Sequence, residues 1–146
     1  MKHHIALVSL LITVMYCLGQ EVRGQTSPDD DVVDKFYSHF PDAVKPQWKK
    51  AGAYYYVSFT NQGLRMTAKY TLTGIWQYTD IFINKSRLPQ VTLEHLAKEY
   101  PGYTLERILY HDSMEEKYYQ VEIRKGNTRR KLRYHDSGYF WKEHNK

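Results

Sequence analysis

The chain has 146 residues, a formal net charge of +5 and one cysteine. That length supports a single core and no second one. Cys17 lies in the apolar N-terminal run, so the rest of the chain offers no disulfide, thiol nucleophile or cysteine metal site. The small basic excess explains solubility as well as it explains an anionic partner.

The chain opens with "MKHH", continues with the apolar run "IALVSLLITVMY" and then turns polar. A positive start followed by an apolar run shorter than the ~20 residues needed to span a bilayer is the layout of a secretory signal. Residues 1–24 hold that signal, with cleavage expected after Gly19 or after Gly24; small residues at both points leave the two open. Tyr16 is too large to precede a lipid-modified Cys17. No later segment is apolar enough to cross a membrane, so the mature protein is expected to be exported, periplasmic or secreted.

After the lead-in "QTSPDDD", whose aspartates suit a helix start, Val33, Phe36, Tyr37 and Phe40 recur at i, i+3, i+4 and i+7. They predict one face of a helix, which Pro41 ends. Four strands follow over residues 44–49, 54–60, 64–70 and 75–79. The link "INKSRLP" places Pro89 in the first turn of a second helix, on which Leu93, Leu96, Ala97 and Tyr100 repeat the spacing before Pro101. Four more strands are expected over 104–110, 118–124, 129–134 and 139–142. Most connections carry a glycine (Gly52, Gly63, Gly74, Gly126, Gly138), as short hairpins favour.

The two halves match. "HFPDA" corresponds to "EYPGY", "YYVSF" to "YQVEI" and "YTLTGIW" to "YHDSGYF", with the offset growing from 60 to 64 through extra residues around "HDSMEE". Self-similarity of this kind marks one supersecondary unit used twice. The expected fold is therefore α+β: tandem helix-plus-antiparallel-meander repeats, residues 25–86 and 87–146, forming one sheet layer with helices on one face.

Alternation along the strands then sorts the residues. Tyr55, Val57 and Phe59, matching Tyr119, Val121 and Ile123, are the buried set, joined by Leu64, Met66, Ala68 and Tyr70. Tyr54, Tyr56, Arg65 and Lys69 point the other way, as do Tyr118, Gln120, Glu122, Arg129, Lys131 and Arg133. Aromatics suit strands for packing reasons alone. A sheet face combining tyrosines with arginines also has the composition of a protein or peptide docking surface. The candidate contacts are Tyr54, Tyr56, Arg65, Tyr118, Arg129, Lys131 and Arg133.

The sequence contains no GxSxG elbow, phosphate-cradling glycine loop or HExxH, so no catalytic residues, cofactor or metal are assigned. His95 and Glu99 sit four apart on the second helix, a spacing that reads first as an exposed polar pair. His111, Asp112, His135 and Asp136 fall in "YHDS" and "YHDSG" and define the alternative reading, a small-ligand or metal carrier. The run "RKGNTRRKLR" is the densest basic stretch and suggests a second alternative, binding of an extracellular polyanion; nucleic acid is not expected as a partner. Asn84-Lys85-Ser86 fits the N-glycosylation pattern.

The stretches "FPDAVKPQWKKAGAYYYVSF", "LPQVTLEHLAKEYPGYTLERI", "YYQVEIRKG" and "KLRYHDSGYF" resemble the PepSY-like family described as β-lactamase-inhibitor-like proteins. The match covers nearly all of residues 30–142. The first unit departs at "YTLTG", where an aspartate-rich turn would be typical. The resemblance implies a small exported bacterial protein with side-by-side helix-and-sheet units and a non-enzymatic binding or inhibitory role.

Overall fold

A computed structural model describes residues 27–144. The signal segment, with Cys17 and both cleavage points, lies outside them. Helix α1 (Asp30–His39) precedes β1 (Val44–Ala51), β2 (Tyr54–Asn61), β3 (Leu64–Thr71) and β4 (Trp76–Phe82). A turn of 3-10 helix (Lys85–Arg87) leads to α2 (Gln90–Glu99), then β5 (Thr104–Ser113), β6 (Lys117–Lys125), β7 (Thr128–His135) and β8 (Phe140–Glu143). Every expected element is present, most a residue or two longer than the pattern indicates. Among the described residues no helix is long and apolar enough to cross a membrane.

The strands form one open antiparallel sheet in chain order, β1 to β8. One register row runs Phe59, Met66, Ile81, Tyr110, Tyr119, Tyr134, Phe140. Both helices pack on this side. Val32 and Phe36 of α1 join Tyr55, Val57, Phe59, Met66, Ala68 and Tyr70. Leu96 of α2 joins Ile108, Val121, Ile123, Leu132 and Tyr134. Phe36, fully buried, meets Phe59 edge-to-face at 4.9 Å and Trp48 at 5.3 Å, pairs that add roughly 0.5–1.5 kcal/mol each beyond area burial.

The helices face the core through a row displaced from the expected one. Val32 and Phe36 are buried with Phe40 half-buried, whereas Tyr37 is exposed. In α2 the buried pair is Thr92 and Leu96, and Ala97 is exposed. The i, i+4 ridge has won because helical side chains lean toward the N-terminus and cover the preceding turn. Thr92 tolerates burial because its hydroxyl donates to the Gly138 carbonyl at 2.7 Å. The aspartates at the start of α1 act differently from expectation as well. Asp29, at the N-cap, makes no side-chain cap bond, and Asp30 and Asp31 lie in the first turn, at the positive end of the helix dipole.

Each helix docks its N-terminal half on the turn at the end of its own meander. Lys35 Nζ donates to the Thr73 carbonyl (2.7 Å), and Thr92 reaches Gly138. Gly74 and Gly138 have φ of +81° and +88°, which glycine adopts without strain. The outer edges are guarded: β1 carries Pro46, Lys49, Lys50 and a register shift near Lys45, and β8 is four residues long.

Candidate functional site

The face away from the helices is crossed by the row Ser58, Thr67, Asp80, His111, Tyr118, His135. All seven candidate contacts project from this face, but their environments differ. Tyr54 and Tyr56 are half-buried, and Lys69 Nζ lies 3.7 Å from the Tyr54 ring centroid and 5.8 Å from that of Tyr56. Tyr78 lies beside the same ammonium at 5.7 Å. Burial, with the charge of Asp80 next, pushes the Tyr78 phenol up to about 12.

At the centre, His111 Nδ1 meets Asp80 Oδ1 at 2.7 Å, and its ring stacks on Tyr118 with centroids 4.6 Å apart. Arg133 places its guanidinium carbon 4.4 Å from the Tyr118 ring centroid. Trp141 follows, 6.1 Å from Tyr118, stacked on His135 at 5.0 Å and overlain by Lys142 Nζ at 3.9 Å. Lys69 thus links Tyr54 and Tyr56 to Tyr78, and Tyr78, 4.9 Å from His111, leads on to Tyr118 and Trp141, so a band of rings and cations crosses the sheet.

Tyr118 departs from expectation. It points to the outer side, yet it is only 6% exposed, and its neighbour Gln120 only 8%. Alternation gives direction, and the long side chains around Tyr118 decide burial. Burial is also the main reason its phenol is raised, with Arg133 opposing the shift.

The cations divide into two kinds. Arg124 and Arg129 both pair with Glu106, at 2.6 and 3.1 Å, and Arg107 and Lys131 both contact Glu122, at 2.6 and 3.6 Å. A cavity of about 620 Å³ is lined by Glu106, Arg107, Glu122, Arg129 and Lys131, with each carboxylate shared between two cations. Arg65 and Arg133 have no carboxylate within ion-pair distance among the described residues, and each stacks 4.4 Å from an aromatic centroid, Phe82 and Tyr118 respectively. Of the predicted cations, Arg129 and Lys131 are thus engaged internally, and Arg65 and Arg133 are not.

The structure scatters the carrier residues. His111 is held by Asp80, Asp112 by Lys117 at 2.9 Å, Asp136 by the Tyr110 hydroxyl at 2.6 Å, and His135 by Trp141. Among the described residues no three His, Cys, Asp or Glu side chains group to hold a metal. His95 faces inward, its Nδ1 3.2 Å from the Tyr134 hydroxyl and its ring stacked on Phe140 at 4.6 Å, so it does not pair with Glu99, whose carboxylate contacts Lys98.

This architecture occurs in solved proteins. A BLIP-like protein of Bacteroides fragilis superposes with a TM-score of 0.75 at 18% identity, covering 83% of this chain and 88% of that one. A DUF2874 family protein of Bacteroides ovatus gives 0.73 at 18%, covering 82% and 88%. A protein of Bacteroides eggerthii, provisionally described as periplasmic, gives 0.73 at 16%, covering 82% and 89%. The fold is BLIP-like. No protein-family model and no curated protein matches the chain, so the PepSY-like part of the resemblance rests on sequence motifs.

Sequence reasoning missed Glu106, Asp80, Tyr78 and Trp141. Tyr78 lies inside the expected strand 75–79 but carries no assigned face, and Asp80 lies one residue past the strand's expected end. Glu106 and Trp141 were beyond such reasoning: register shifts between Leu105 and Arg107, and between Arg133 and Tyr134 opposite β8, displace each from simple alternation.

Proposed function

We propose that the protein is an exported, non-enzymatic module that binds a protein or peptide on its open sheet face, and that it inhibits an extracytoplasmic enzyme, where it does so, by steric occlusion. The observation that carries this reading is the aromatic band itself. Stacked, cation-topped rings present apolar area whose rotamers are already restricted, which lowers the ordering cost of binding. The BLIP-like description of one structural neighbour and the periplasmic description of another support it, as does the N-terminal signal pattern. The non-enzymatic part rests on the sequence, which holds no catalytic motif.

We read the two halves as copies of one unit. Lys69 over Tyr54 and Arg133 over Tyr118 are the same contact 64 residues apart. Duplication of the cation-on-tyrosine contact supports a face used along its whole width.

The test is affinity capture from the envelope of the producing cell. Wild-type protein is compared with a Tyr54→Ala, Tyr56→Ala, Arg65→Glu triple variant and with Tyr139→Ala, a change in the β7–β8 turn. The triple variant is expected to lose captured protein at least about tenfold, as removal of interface anchors does, while Tyr139→Ala retains it. Unchanged capture by a folded triple variant would remove the open face as the docking surface.

A further inference from the structure

Arg65 and Arg133, the open-face arginines without a carboxylate at ion-pair distance among the described residues, share one row. The register continues from Met66–Ile81 to set Arg65 against Phe82, then runs through Leu109, Gln120 and Arg133 to Lys142. Arg65 on β3 and Arg133 on β7 are four strand spacings apart, about 19 Å at ~4.8 Å per strand. A guanidinium stacked through its face keeps its N–H groups in the plane free, and that edge matches a carboxylate bidentately. Among the described residues Arg133 Nε is buried and has no hydrogen-bond partner, so the terminal amino groups are what Arg133 offers a carboxylate. Arg65 borders a cleft of about 310 Å³ whose walls are apolar at Phe82, Ile83 and Leu105 and charged at Lys85, Glu106 and Arg107, the Glu106 carboxylate there being engaged by Arg124 and Arg129.

We propose that the occupant of the open face is an acidic protein segment whose carboxylates engage Arg65 and Arg133, rather than the ion-paired Arg124, Arg129 and Arg130. This rests on the docking reading above and names the chemistry of its partner. A polyanion of uniform charge fits less well, because Glu106 and Glu122 stand among the paired cations of β5–β7 and repel a continuous negative backbone. An extended segment lying across the strands advances ~3.3 Å per residue, so acidic residues roughly six apart would reach both arginines from the same side of the chain.

The test uses three capped twelve-residue peptides on a Ser, Thr and Val background: two glutamates six apart, the same two adjacent, and glutamine in place of both. Proton–nitrogen correlation spectra that include the arginine Nε–H signals follow millimolar peptide binding to the full protein. The spaced peptide is expected to shift Arg65 and Arg133 and to bind several-fold more tightly than the others. Arg65→Gln or Arg133→Gln should erase that preference, while Arg129→Gln, whose partner is Glu106, preserves it. No shift at the two arginines, equal binding of the glutamine peptide, or equal sensitivity to Arg129→Gln would overturn the proposal. A heparin fragment displacing the spaced peptide from these arginines and binding them more tightly would overturn it in favour of a polyanion. If the peptides fail while envelope capture still depends on Tyr54 and Tyr56, the acidic chemistry falls and the docking face stands. If both fail, the face falls too.

Discussion

Tyr118→Ala separates direction from burial. On alternation alone Tyr118 is a surface contact, and truncating it would leave stability within about 0.5 kcal/mol of wild type. In the structure it is 6% exposed, stacked on His111, overlain by Arg133 and near Trp141. Removing a packed aromatic side chain costs roughly 3–5 kcal/mol, through lost transfer energy and the cavity left behind. The cover here consists of Arg133 and His111, side chains that can settle into the hole, so the lower end, about 3 kcal/mol, is expected. That is a large fraction of the roughly 5–15 kcal/mol available to a domain of this size. Urea unfolding followed by tryptophan fluorescence measures it, with an unchanged m-value required for the comparison. Tyr118→Phe keeps the ring and should stay close to wild type. A Tyr118→Ala loss below about 1 kcal/mol would refute the burial argument and return Tyr118 to the list of simple contacts.

Two further outcomes follow from the geometry. Gly138→Ala should cost about 3 kcal/mol, against about 1 for Gly126→Ala, in the same denaturation assay. Both glycines have positive φ, but a methyl at Gly138 would come within 2.5 Å of Pro89 Cβ, whereas Gly126 has nothing within 4 Å. At alkaline pH, Tyr78 is raised to about 12 from an ordinary value of 10.0, so the unfolded chain loses the proton first. The stability this provides is intact below pH ~10 and declines as pH rises toward 12; Tyr78→Phe should flatten that decline in unfolding midpoints measured across the window.

Much of the fold is legible because two periods and the turn residues agree. Period-two runs bounded by glycine placed all eight strands, and period-3.6 runs stopped by proline placed both helices. The core was legible wherever register parity is unbroken, as along Tyr55, Val57 and Phe59. What escaped depends on one extra residue or on a neighbour's length. Thr92 looks too polar for a core until Gly138 appears as its acceptor across 46 residues. Glu106 takes its place beside Arg107 through a register shift that leaves no signature in composition. Gln120 is outward and buried together, its amide donating to Glu122 Oε1 at 3.5 Å.

The division of cations also bears on what a charge count means. The run "RKGNTRRKLR" looks like the molecule's anion-binding feature, and the net charge of +5 reinforces that impression. Yet Arg124 and Arg129 share Glu106, Lys131 shares Glu122 with Arg107, and Arg130 is clamped by both oxygens of Glu143. A second anion approaching these groups must compete with carboxylates already in place. A carboxylate approaching Arg65 or Arg133 displaces no ion pair, and it meets a guanidinium already oriented by an aromatic ring. Selectivity on this face therefore follows where the fold places its acidic residues: within the basic stretch Arg124, Arg129, Arg130 and Lys131 are held by carboxylates, and Arg133 at its end is not.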